Sequence, residues 1–188
     1  MTSSKGTLTL SRELASLHRE LGIPATYAAE RRLTLHPEAI ESELVEVGIS
    51  EEGRPIRLVR LAAESWALMR LAEARDDVEL FAMSGFRSVS RQTEIFRAKL
   101  AVGEPAEKIL AYVAAPGFSE HHTGRALDIG SPEHSELDEA FGDTGAFSWL
   151  EQNAARFGFT LSYPRGNPHG IAYEPWHWCW SAGTPGTV

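Results

Sequence analysis

Leucines recur at helical spacing near the start of the chain, with Leu10, Leu14, Leu17 and Leu21 on one face. Ser11 stands at the head of the run as a cap, and Gly22 with Pro24 ends it, so a short docking helix is predicted. The period then changes. Leu44 to Ile49 and Ile56 to Leu61 alternate apolar and polar around EEGR, which predicts a β-hairpin. Helical spacing returns over Ala62 to Arg75 and Ser90 to Val102, with a strand expected between them at Val78 to Met83. Leu127 to Ile129 reads as a central strand, Thr144 to Phe157 as a helix stopped by Gly158, and Phe159 to Ser162 and Ile171 to Tyr173 as further strands. This order predicts a compact α+β domain preceded by an N-terminal helical extension over residues 1–40, with no repeat or linker dividing it.

Chemistry concentrates in two places. SEHHTGRALD runs from Ser119 to Asp128, and about fifty residues after Asp128 the chain returns with EPWH, Glu174 to His177. A catalytic zinc needs three protein ligands drawn from imidazole and carboxylate, with one position open to water. His121, Asp128 and His177 match that set, and Glu174, three residues before a ligand, matches the base that takes a proton from the water. A continuous helix from His121 to Asp128 would separate them by roughly 10 Å. Gly124 and the apolar Ala126, Leu127 and Ile129 instead place His121 on a loop and Asp128 on a strand that folds back toward it. Asp128 in such apolar company calls for a cation beside it. Pro175 stiffens the link from Glu174 to His177, so that a tight turn can aim both side chains at one ion. His122 is read as a partner of the ligands or a substrate contact, because neighbouring side chains on an extended segment point opposite ways. His18, His36, His134 and His169 are read as ordinary surface, core or loop histidines.

SEHHTGRALD and EPWH resemble the SxHxxGxAxD and ExWH motifs of the VanY-type zinc D-alanyl-D-alanine carboxypeptidases, whose superfamily includes lysostaphin-like peptidases and the hedgehog domain. SGFRS, Ser84 to Ser88, with Gln92 is similar to a further block of that family, as is WLEQNAARFGFTLSYP. The resemblance covers roughly Leu61 to Trp180. It implies a small antiparallel sheet flanked by helices, a zinc peptidase domain over residues 41–188, His121, Asp128 and His177 as ligands to one catalytic zinc, and Glu174 as the base. It also implies that Arg87 stabilises the oxyanion or anchors the substrate. Ser119 and Gln92 are candidate substrate contacts, against the alternatives of a turn hydroxyl and a helix-capping amide. The implied activity is removal of a terminal D-alanine from peptidoglycan stem peptides or their fragments, by D,D or L,D cleavage. A lysin-type endopeptidase and a zinc-stabilised binding module without catalysis are the alternatives. The chain departs from the family at Ser162 and Cys179, where arginine is common, and at His122, where glutamine is usual; recognition of the peptide carboxylate is expected to differ accordingly.

Composition adds boundaries. The 188 residues are 43% hydrophobic, enough for a full core without staples, and the one cysteine, Cys179, excludes an intramolecular disulfide. A net charge of −8 and the lack of a basic stripe argue against nucleic acid as a partner. The first residues, MTSSKGTLTLSRELASLHRE, carry no apolar leader and no later run could span a bilayer, which predicts a soluble, cytoplasmic protein. A leader upstream of this sequence would move the expectation to the periplasm or the cell exterior.

Overall fold

The computed structural model describes residues 10–182; the outer ends of the expected extension and domain, 1–9 and 183–188, lie outside them. The leucine stripe forms α1 (Arg12–Glu20), capped by the Ser11 hydroxyl, which accepts a hydrogen bond from Leu14 N at 3.1 Å. A single helical turn, α2 (Tyr27–Glu30), follows. The hairpin pairs β1 (Leu44–Ile49) with β2 (Pro55–Val59). Arg60 and Leu61, expected in the second strand, instead open α3 (Arg60–Glu73), because the exposed leucine and the buried Ala62 and Ala63 continue at helical spacing. β3 (Phe81–Ser84) leads into α4 (Val89–Ala101), where Ser88 Oγ accepts from Arg91 N at 3.0 Å, and α5 (Ala106–Ile109) is one turn. β4 (Ala126–Gly130), α6 (Gly145–Asn153) and β5 (Phe159–Leu161) stand where the pattern predicts, and α6 gives way to a 3₁₀ turn over Ala154–Phe157. The last element is β6 (His177–Trp180).

One expected strand is absent. Ile171 to Tyr173 is not a strand: Ile171 is buried as a plug and Ala172 N bonds to Ala111 O at 2.7 Å, outside any ladder. The strand lies instead at His177–Trp180, and it is central. The main sheet is antiparallel in the order β3-β4-β6-β5, with β1 and β2 forming a separate ribbon. Four residues of mixed aromatic and polar character offer too short a run for a period to show.

The sheet separates two cores. Leu127 and Ile129 of β4, with Phe159 and Trp178, pack beneath it against Leu58, Trp66, Met69, Phe141 and Leu150. Above it, Leu21, Ile23, Tyr27 and Leu33 of the N-terminal segment close a second core with Phe96, Ile109, Phe118, Tyr163 and Ile171. Strand side chains alternate between faces. Asp128, between Leu127 and Ile129, therefore faces away from the first core, although every residue of β4 is buried. Among the described residues no helix is long and apolar enough to cross a membrane.

Candidate metal centre

Register brings the first two expected ligands together. Asp128 and His177 are direct partners in the antiparallel ladder of β4 and β6, so their side chains rise side by side from one face. Asp128 Oδ1 lies 3.0 Å from His177 Nδ1. The turn before β6 closes through His177 N to Glu174 O at 3.0 Å, which sets Glu174 Oε2 3.9 Å from His177 Nδ1.

The third expected ligand comes from a 3₁₀ turn, Glu120–Thr123, and not from an extended loop. Its last residue is followed by Gly124 at φ +64°, where a Cβ would stand 3.0 Å from Leu44 Cδ2; glycine is required to turn the chain back into β4. His121 Nδ1 donates to Gly85 O at 2.7 Å, and Nε2 faces Asp128 Oδ2 at 3.2 Å. Gly85 has its own constraint, since a Cβ there would stand 2.5 Å from Arg57 O. His121, Asp128 and His177 offer ligand atoms within 4.8 Å of one another, and all three are buried.

The donor set fits a cation. Because His121 Nδ1 gives its hydrogen to a carbonyl, the neutral ring carries a lone pair on Nε2, and that lone pair points at a carboxylate oxygen. Two acceptors 3.2 Å apart repel unless a cation lies between them. Burial also holds His121 in its neutral, ligating form, lowering its pKa to about 4. At Asp128 burial works against ionisation, but His121 and His177 more than compensate and hold the carboxyl well below the usual range. His177 lies between Asp128 and Glu120; burial lowers its pKa, yet the bonds to both carboxylates raise it to about 10 overall. One positive charge is thus strongly favoured in this cluster.

Around the ligands lies a cleft of about 330 Å³ lined by Arg87, Gln92, Ser119, Tyr163, Glu174 and Trp176. Burial pushes Glu174 up to about 7, with His177 and Arg87 opposing. Arg87 Nη2 is 3.7 Å from Asp128 Oδ2, and Nη1 donates to Gln92 Oε1 at 3.0 Å. Gln92 Nε2 in turn donates to Ala114 O at 2.6 Å, so this amide clamps the arginine rather than capping a helix. Ser119 lines the cleft and its hydroxyl does not cap the following turn. A larger cleft of about 490 Å³, shared at Arg87 and Asp128, continues toward the hairpin.

His122 is fully buried behind the ligands: its Nδ1 donates to Arg87 O at 2.6 Å and its Nε2 accepts from Gly117 N at 3.0 Å. It therefore partners the turn that carries His121 and lines neither of the two clefts. Sequence reasoning missed Glu120, whose Oε2 lies 2.9 Å from His177 Nε2 and accepts from Ser162 Oγ at 2.6 Å. Its position beside His121 was visible, but only the fold brings it behind His177. Cys179 lies in β6, half-buried, with its thiol pushed up to about 12 by burial.

Two imidazoles and a carboxylate on three segments, with a second carboxyl beside an open cleft, make up a donor set of the kind that holds a metal ion in hydrolytic sites. The chain belongs to the VanY family, described as D-alanyl-D-alanine carboxypeptidase, whose sequence model matches residues 55–183. It is 36% identical over 169 residues to YodJ of Bacillus subtilis (strain 168), covering 87% of this chain and 58% of that one. Among solved structures, it superposes on the LdcB LD-carboxypeptidase with a TM-score of 0.67 at 34% identity, covering 76% of this chain and 69% of that one. A mutant of the vancomycin resistance D,D-pentapeptidase VanY in complex with Zn(II) gives 0.57 at 29% identity, covering 77% and 83%. The chain spans less than two thirds of the length of the curated relatives it matches.

Proposed function

We propose that this chain is a zinc-dependent carboxypeptidase that removes a terminal D-alanine from peptidoglycan stem peptides or their fragments, by D,D or L,D cleavage. The observation that carries the reading is the meeting of His121, Asp128, His177, Glu174 and Arg87 at one cleft in a chain of this family. One zinc ion held by the two histidines and Asp128 would supply a Lewis acid and a bound water of lowered pKa. Glu174 takes the proton of the attacking water onto its carboxylate and hands it to the leaving amine; a carboxyl raised to about 7 is suited to both transfers at neutral pH. Arg87, held by Gln92, meets the negative charge that develops on the carbonyl oxygen. Ser119 and the free N–H of Gln92 contact the peptide.

Residues 41–188 act in this reading as the peptidase domain, and the segment before them as a brace. Its support is direct: His36 N bonds to Gly117 O at 2.9 Å and Ala39 N to His122 O at 2.8 Å, while Glu38 accepts from Val89 N at the head of α4. The test is mass spectrometry of tetra-, penta- and cross-linked stem peptides incubated with the zinc-loaded protein. Loss of a single terminal alanine is expected. Amidating the terminal carboxylate should slow hydrolysis on the order of 10²-fold, because a carboxypeptidase site that pairs a cation with that group is left with the charge unpaired. Equal cleavage of both forms would favour an endopeptidase, and zinc binding without cleavage would favour a binding module.

A further inference from the structure

The two imidazoles of the site are braced differently. His121 gives its outer hydrogen to a neutral backbone carbonyl, Gly85 O. His177 turns its outer nitrogen, Nε2, to a carboxylate, Glu120 Oε2, at 2.9 Å. Its inner nitrogen, Nδ1, faces Asp128 Oδ1 and the cluster of ligand atoms. A neutral imidazole offers one lone pair and one N–H. If Nδ1 binds a cation, Nε2 carries the hydrogen, and Glu120 is the group that receives it.

We infer that Glu120, held in place by the Ser162 hydroxyl, is a positioning residue that fixes the tautomer and orientation of His177 and strengthens it as a metal ligand. The inference rests on the metal site proposed above. The placement is economical in chain terms. Glu120 opens the same four-residue turn that carries His121, so one turn supplies a ligand on the inner side of the site and a carboxylate on the outer side of His177. Ser162, just past the end of β5, donates to Glu120 Oε2 at 2.6 Å and so directs the same oxygen that meets the imidazole. A hydroxyl donates one hydrogen and carries no charge, so it orients the carboxylate without neutralising it. A carboxylate behind a ligating histidine raises the basicity of the ring, and loss of such a partner typically weakens metal binding 10- to 100-fold.

The test is zinc affinity of the full chain by chelator competition, together with the visible spectrum of the cobalt-substituted protein. Glu120→Ala should weaken zinc binding about 10- to 100-fold and change the cobalt spectrum. Glu120→Gln, which keeps an acceptor without the charge, should fall between it and wild type, and Ser162→Ala should lose several-fold at most. A residue that merely supported the fold would change the melting temperature without this graded order and without moving the cobalt spectrum. Should Glu120→Ala fail to fold, Glu120→Gln and Ser162→Ala still decide. Both binding zinc as tightly as wild type, with an unchanged spectrum, would overturn the inference. Wild type that binds neither metal would overturn the metal site itself, a different result from equal binding by all variants.

Discussion

The two halves of the site are held by different means. Asp128 and His177 stand opposite each other in a backbone ladder between two strands of the main sheet, with the first core beneath them. His121 rides a four-residue turn with no ladder, fixed by its bond to Gly85, by His122 behind it and by the segment that runs past it at residues 36–39. A ladder sets the spacing of two proposed ligands as a by-product of folding the sheet. A turn must be braced from outside, and here the braces come from parts of the chain distant in sequence. The sheet half should therefore tolerate changes in its surroundings, whereas the turn half should lose its geometry when its braces are removed.

The largest effect should come from the sheet half itself. His177→Ala removes a proposed ligand and leaves Asp128 with one imidazole, so zinc binding and hydrolysis should both be lost, and chelator should no longer lower the melting temperature as it is expected to in wild type. Metal content by mass spectrometry and a thermal melt with and without chelator check this. Next comes Arg87→Ala, which should keep the metal and lose about 2.7–4 kcal/mol of transition-state stabilisation, roughly 10²- to 10³-fold in turnover. Steady-state kinetics on a stem pentapeptide measures it.

Breaking the turn half should cost stability first. His122→Ala removes a fully buried ring together with its bonds to Arg87 O and Gly117 N, and should destabilise the fold by about 2–4 kcal/mol. Denaturant melts of the zinc-free protein would show it, with weaker zinc binding as the second sign. A comparable loss from the same truncation at half-exposed Trp180, at the outer end of β6, would erase the contrast between the halves.

The smallest effect lies far from the site. Glu73 is buried on α3 beside Arg70, and burial pushes its carboxyl up to about 7 despite that partner. Between the ordinary carboxyl range and pH 7 the folded chain holds a proton that the unfolded chain has released. Stability from this group is therefore full at low pH and declines as pH rises through that window, by roughly 1–3 kcal/mol. Glu73→Gln should flatten the slope, as read by chemical denaturation at pH 5 and pH 7.5.

How far the site was legible follows the same division. The residues of the cluster and the glycine turn were visible because a buried aspartate between apolar residues and a histidine at Pro-stiffened spacing leave few other roles. The pairing of Asp128 with His177 was not, since it depends on a strand of four residues whose pattern carries no period. Gln92 was weighed as a substrate contact or a helix cap, but its clamp on Arg87 becomes visible only when α4 and Ala114 are placed together. Helix α1 was readable from its cap and spacing, and α4 from its spacing, because those signals are local. Glu120 and the brace at residues 36–39 act across the fold, and no local signal marks them.

Binding of a catalytic metal by this cluster, beside a separate base, is tested most directly by one paired measurement. Zinc content and release of D-alanine from a stem pentapeptide are determined on the same preparations of wild type and Glu174→Gln. One zinc per chain is expected in both, with turnover lower in the variant on the order of a hundredfold or more. Zinc lost from Glu174→Gln would make that residue a ligand, and wild type that cleaves fully when stripped of metal would rule out a catalytic metal here.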